Sequence, residues 1–130
     1  YFKPYFENDA LVISVNKGYM EDYVKTQAEL AANEKATQLI LERVKYLTAL
    51  TGLCPQRVFV KELKSSWGRC SSDGKISINI NVAYFDVECI DYVIIHELCH
   101  LVHMNHSADF WALVEKFCPE WKRIRDKMRN

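Results

Sequence analysis

All four histidines of the chain fall between positions 96 and 106: His96, His100, His103 and His106. His96 and His100 frame the segment His96-Glu97-Leu98-Cys99-His100, inside a run whose apolar residues recur at helical steps. On a helix, a spacing of four puts both imidazoles on one face with Cβ atoms ~5–6 Å apart. Two neutral imidazoles so placed can share one Zn²⁺ at ~2.0–2.1 Å. Glu97 lies about 100° around the helix from His96, so it flanks such a metal without having to bind it. His-Glu-x-x-His is the pattern in which the glutamate is general base for a metal-activated water. Two histidines four apart are weak evidence alone. The glutamate at the right offset and a further histidine beyond make the combination specific for a metal site.

A catalytic zinc usually takes three protein ligands and a water, and the candidates for the third are His103 and His106. His103 shares the helical face of His96 and His100, but its Cα stands about 10 Å along the axis from that of His96. Three ligands in one column do not easily surround a metal. His106 would lie ~15 Å away on a continuing helix, and reaches the site only if the helix stops and the chain folds back. Asn105 tolerates positive φ and Ser107 is a good helix start, so the sequence supplies that turn and favours His106. Cys99 has the wrong phase for the metal and reads as a small buried apolar residue.

The elements that must hold these groups can be read from periodicity. Residues 1–9 read as an irregular lead-in, and Leu11–Val15 as a short strand. From about Glu21 to Leu50 the chain is rich in helix formers. Ala32, Ala36, Ile40, Val44 and Leu47 give it one apolar stripe, and Gly52 and Pro55 end it. Val58–Leu63 is a strand by composition. Lys75–Asn81 alternates, with three Ile on one face and Ser77, Asn79 and Asn81 on the other. With Trp67-Gly68-Arg69-Cys70 between them, these two strands suggest a small antiparallel sheet. Asp86 caps a helix running to about Met104, Ser107 caps the next, and Pro119 starts the last, with Trp121, Ile124 and Met128 facing inward.

Composition bounds the function. A chain of 130 residues suits a single domain, 1–130, and the absence of a starting Met reads as a fragment of a longer protein. Seventeen basic and seventeen acidic residues cancel, so no global field draws the chain to nucleic acid. The basic residues from Lys122 to Arg129 read as a solvated face rather than a nucleic-acid patch. No apolar run approaches the ~18 residues of a membrane helix. Five scattered Cys with no Cys-x-x-Cys favour free thiols in the cytoplasm over a disulfide framework or a thiolate zinc site.

Several of these segments together are similar to a known family. Trp67-Gly68-Arg69-Cys70-Ser71, Ile78-Asn79-Ile80-Asn81, Asp91-Tyr92-Val93, His96-Glu97-Leu98-Cys99-His100 and Asn105-His106-Ser107 with Phe110-Trp111 resemble the YgjP-like metallopeptidase-domain family, related to the SprT-like zinc proteases. The resemblance spans roughly residues 10–130. It implies an α+β, zincin-like domain: a long N-terminal helix and an active-site helix packed on a small, mostly antiparallel sheet, with C-terminal helices. It also implies Zn²⁺ on His96, His100 and His106, with Glu97 as base. The reaction expected is hydrolysis of a peptide or unfolded-protein substrate. The alternatives are a zinc-dependent nucleotide pyrophosphatase, disfavoured by the lack of a Gly-rich phosphate loop, and a module whose zinc is structural. Trp67-Gly68-Arg69 reads equally well as a cleft edge where a peptide adds as a strand and as a core Trp beside a bulge. Asn79, Asn81 and Tyr84 could donate to an oxyanion, but structural or solvated roles are favoured.

Overall fold

The computed structural model describes residues 5–7, 10–12 and 17–129, with side chains from residue 26 onward. The chain divides into two compact units, residues 1–35 and 36–130. In the first, strand β1 (Tyr5–Glu7) pairs antiparallel with β2 (Ala10–Val12), Phe6 opposite Leu11. The lead-in expected to be irregular thus contains a strand, because cross-strand pairing is invisible to propensity read along the chain. Of the strand expected at Leu11–Val15, residues 13–15 lie outside those described.

Helix α1 spans Lys17–Thr51. Its apolar stripe is buried at Ala36, Ile40, Val44 and Leu47, whereas Ala32 is exposed. The helix stops where the sequence places the stop. Gly52 takes φ 75°, its N–H donating to Thr48 O at 2.9 Å, and Thr51 Oγ1 donates to Leu47 O. Left-handed backbone is cheap only for glycine, and it satisfies carbonyls that the helix end leaves open.

The sheet of the second unit has the order β3-β5-β4, from β3 (Arg57–Lys61), β4 (Gly68–Cys70) and β5 (Lys75–Asn79). It is mixed, not mostly antiparallel. β3 and β5 run parallel with Val58 opposite Ile76, and only β4 is antiparallel to β5. A parallel pair needs a crossover of a dozen or more residues, and residues 62–74, carrying β4, supply it. The alternation of β5 also breaks at its end. Ile76, Ile78 and Asn79 are buried while Ile80 begins a 3₁₀ turn, Ile80–Tyr84. Asn79 belongs to the framework. Its Oδ1 accepts from Asn81 N, and its Nδ2 donates to Leu63 O and Ser66 O at 2.9 and 3.0 Å, pinning the crossover to the sheet. Tyr84 is exposed.

Helix α2 (Val87–Cys99) is buried on nearly every side, from Cys89 and Ile90 through Leu98 and Cys99. It packs with Ile40, Val44 and Leu47 of α1, with Ile76 and Ile78 of β5, and with Phe110, Val114, Trp121, Ile124 and Met128. The last five come from α3 (Ala108–Phe117) and α4 (Trp121–Arg129). Two polar ties fix its rotation. Arg43 forks onto Asp91, Nε to Oδ1 at 2.9 Å and Nη2 to Oδ2 at 2.7 Å, and this pairing raises the Arg43 pKa. At its start, Arg123 and Lys127 of α4 converge on Glu88, and Lys127 also reaches Asp86. Asp86 holds the N-cap position as expected, but its side chain makes no cap bond and pairs with Lys127 instead.

The Arg123 and Lys127 contacts hold the Glu88 carboxyl down to about 2. A carboxylate that ionises more readily folded than unfolded stabilises fully above its ordinary range and loses that contribution as pH falls through the folded value. Glu88→Gln should therefore lower Tm modestly at pH 7. The gap from wild type should close between about pH 4.5 and about pH 2, as thermal melts across that range would read.

Candidate metal centre

The chain reverses direction immediately after α2. His100 caps the helix with φ −66° and ψ −16°, its N–H shared between His96 O at 3.3 Å and Glu97 O at 3.1 Å. Leu101, Val102 and His103 then donate back to Leu98 and Cys99 in a tightened last turn. The helix thus ends well before the expected Met104. Leu101 continues the apolar periodicity, but three-residue bonds from Leu101 and Val102 tighten the turn and the helix closes there. Ser107 caps α3 as expected, its hydroxyl accepting from Phe110 N at 3.2 Å.

This reversal gathers His96, His100 and His106. One ring nitrogen from each lies within 4.8 Å of the others, a group able to hold a metal ion. Nε2 of His100 and Nε2 of His106 are 3.1 Å apart, close to the ~3.3 Å spanned by two nitrogens on one tetrahedral zinc at ~2.0–2.1 Å. The other nitrogen of His100 faces His103 O at 3.0 Å. A carbonyl only accepts, so Nδ1 carries the proton and Nε2 presents a lone pair toward the other rings. This is the outer-shell arrangement that orients metal-binding imidazoles. Partial burial and the neighbouring His96 and His100 hold His106 below its ordinary pKa, in the neutral form a metal needs. The donor set therefore fits a borderline metal such as zinc. His103 contributes its backbone carbonyl, and its ring stands outside the group.

Aromatic rings seat the imidazoles. Phe110 stacks on His100 with centroids 4.4 Å apart, and Trp111 on His106 at 5.7 Å. Trp111 in turn lies on Trp121 at 4.3 Å, carrying the support from α3 into α4.

Glu97 is buried beside the group, with Oε2 3.1 Å from Nδ1 of His96. It lies directly against Gly68 of β4: a Cβ at position 68 would stand 2.8 Å from Glu97 Cγ and Oε2. Sequence reasoning left Gly68 open between a cleft edge and a bulge; the structure shows a close approach to Glu97, which a glycine inside a strand can equally signal. Trp67 answers to both readings made of it. It packs edge-on against Phe85 and, half-exposed, lines a cavity of about 260 Å³ that opens beside His96 and Glu97. The same cavity is walled by Arg125 and Arg129, which sequence reasoning assigned to a solvated face. Their i, i+4 spacing next to Met128 was the available signal. All five cysteines are free, as expected. Cys99 is buried with its thiol pushed up to about 12 by burial, an inert core residue. Among the described residues no helix is long and apolar enough to cross a membrane.

The chain matches the model of the YgjP-like metallopeptidase domain over residues 6–130. Among solved structures it is similar to the metallopeptidase zymogen of Pyrococcus abyssi abylysin, with 32% identity, TM-score 0.61, and 68% of this chain and 90% of that chain covered. The metallopeptidase zymogen of Methanocaldococcus jannaschii jannalysin shares the fold, at 23% identity and TM-score 0.59, over 68% and 92% of the two chains. A search of curated proteins found no match. The chain belongs to the YgjP-like metallopeptidase-domain family, and its α+β fold is that of a metal-dependent peptidase.

Two outcomes follow from this geometry. His106→Ala should remove most bound zinc in metal analysis of the purified protein, while His103→Ala, which keeps the carbonyl under His100, should retain it. Gly68→Ala should leave metal content unchanged yet lower kcat by roughly 10²-fold if Glu97 takes part in the reaction, because displacing such a group by about an ångström costs that much.

Proposed function

We propose that the chain is a zinc-dependent peptidase in which His96, His100 and His106 hold the metal and Glu97 is the general base. The observation that carries this reading is the convergence of those three ring nitrogens within 4.8 Å, with the Glu97 carboxylate beside them and outside the ligand group. Three protein ligands leave a position open, as catalytic zinc sites do and structural ones normally do not. A zinc ion there supplies a Lewis acid and a water acidic enough to ionise near neutral pH. Glu97 takes a proton from the attacking water and returns it to the leaving amine nitrogen. Its burial against Gly68 limits how far the carboxylate can move, which favours the transfer.

The substrate reading rests on β4. It is an edge of the three-stranded sheet, immediately over α2, and Gly68 opens it beside Glu97. An extended peptide adding to that edge would run past the base, with main-chain hydrogen bonds giving affinity and side pockets giving selection. An unfolded polypeptide meets that requirement. The five free cysteines support a reducing, cytoplasmic setting.

Glu97→Gln tests the assignment. The amide is nearly isosteric and has no basic oxygen, so fold and zinc content should persist while kcat on an unfolded protein such as casein falls ~10²–10⁴-fold. Zinc-loaded wild type that cleaves no polypeptide, yet hydrolyses nucleoside triphosphates in a Glu97-dependent way, would overturn the peptidase reading.

A further inference from the structure

The cavity beside Glu97 has a charge pattern that the hydrolytic reaction itself does not require. Its walls are Trp67, Tyr92, Val93 and Met128, with Arg125 and Arg129 among them, and among the described residues Glu97 is the only acid of its lining. Two other basic residues of α4 are engaged by acids: Arg123 and Lys127 are bound to Glu88, Glu120 and Asp86. Arg129 has no such partner among the described residues, and Arg125 has only the loose 3.6 Å pair with Asp126. The Nε of Arg125 is buried without a hydrogen-bond partner. The Arg125 guanidinium lies over the Trp121 ring at 5.0 Å, which fixes its stem and aligns it one helical turn from Arg129. The Arg125 side chain is 32% exposed and lines the cavity, so its guanidinium can meet an acceptor there.

We propose that this cavity is a substrate subsite selecting an acidic side chain next to the scissile bond, with Arg125 and Arg129 receiving its carboxylate. The inference rests on the peptidase reading of the same site and names its substrate class, an acidic peptide. The shape favours a carboxylate on a short apolar stem. The aromatic and aliphatic walls contact the methylenes, and the planar forks of two arginines match two carboxylate oxygens. A polyphosphate asks for more than this cavity offers, namely backbone N–H groups from a glycine-rich loop or a helix start. Both arginines sit in the last turns of α4. Glu97 lies at the His96 side of the cavity, so a substrate carboxylate drawn to α4 is also kept away from the base.

The test uses the zinc-loaded full chain and matched peptides carrying Glu or Gln at each residue flanking the scissile bond. Each is also made with a reduced, uncleavable bond for titration calorimetry. A charge-assisted contact in place of a neutral one should favour Glu over Gln about tenfold at one position, in both kcat/KM and Kd. Arg129→Gln, at an exposed residue, should shrink that ratio, and Arg125→Gln with Arg129→Gln should abolish it. Zinc content should hold in both variants, and the Glu-to-Gln ratio is the quantity read. Equal handling of Glu and Gln by the wild type overturns the proposal, as does a preference that survives the double substitution. So does a nucleoside triphosphate bound through Arg125 and Arg129 in preference to the Glu peptide. Selective binding of the uncleavable Glu peptide without cleavage of its parent would sink the peptidase reading and leave the subsite standing; cleavage without selectivity would do the reverse.

Discussion

A helix with apolar side chains on nearly every face has to be enclosed, and the enclosure of α2 organises the unit around it. Ile90, Ile94 and Leu98 are essentially inaccessible, and so are Cys89 and Cys99 on other faces. Such a helix cannot run into solvent, and each element of the unit supplies part of its cover: the stripe of α1, the inner face of β5, and the apolar sides of α3 and α4. The functional groups sit where the cover thins, at the last turn. His96 and His100 emerge there because the helix ends at Cys99, and α3 is bent back over that end by the turn before Ser107. The same fold-back that closes the core brings His106 to the other two imidazoles.

Much of this was legible in residue spacing. A step of four, with a carboxylate in between, has one geometric meaning on a helix. The Asn105-His106-Ser107 sequence needed only local chemistry, a residue tolerant of a turn and a cap whose hydroxyl finds Phe110 N. The end of α2 was less legible. Leu101 extends the periodic pattern, and the bond that stabilises the reversal, His100 Nδ1 to His103 O, joins a side chain to a carbonyl that exists in that position only once the turn has formed. His103 therefore had to be read as a ring competing for the metal, while it acts through its backbone.

The sheet illustrates a different limit. Alternation in Lys75–Asn79 identifies a strand and its inner face, but strand direction depends on where the preceding strand lies. The crossover length permits both a parallel pairing and a long antiparallel loop. Asn79 decides part of it by bonding Leu63 O and Ser66 O, holding the crossover so that β4 falls beside β5. Gly68 then arrives over Glu97, a contact between residues far apart in sequence that no pattern around position 68 encodes. The basic residues of α4 were ambiguous for the same reason. Arg123 and Lys127 face acids at the start of α2, while Arg125 and Arg129, on the same short helix, face the cavity.

In the role proposed for it, as general base, Glu97 meets two demands that oppose each other. A general base works best where its proton transfers meet fixed dipoles rather than mobile water, which argues for burial. It must also touch a water and a leaving nitrogen, which argues for access. Here the carboxyl is covered on the sheet side by a residue with no side chain, so the covering strand lies as close as backbone can come. Access remains through the cavity between β4 and α4 and toward the three imidazoles. An alanine at 68 would need either the strand or the carboxylate to move, and the strand is tied through Trp67 O to Asn79 N and through Gly68 to Ile78. The carboxylate is the softer of the two. The glycine thus sets the position of Glu97, and the sheet register that holds the glycine shapes the surroundings of the three imidazoles.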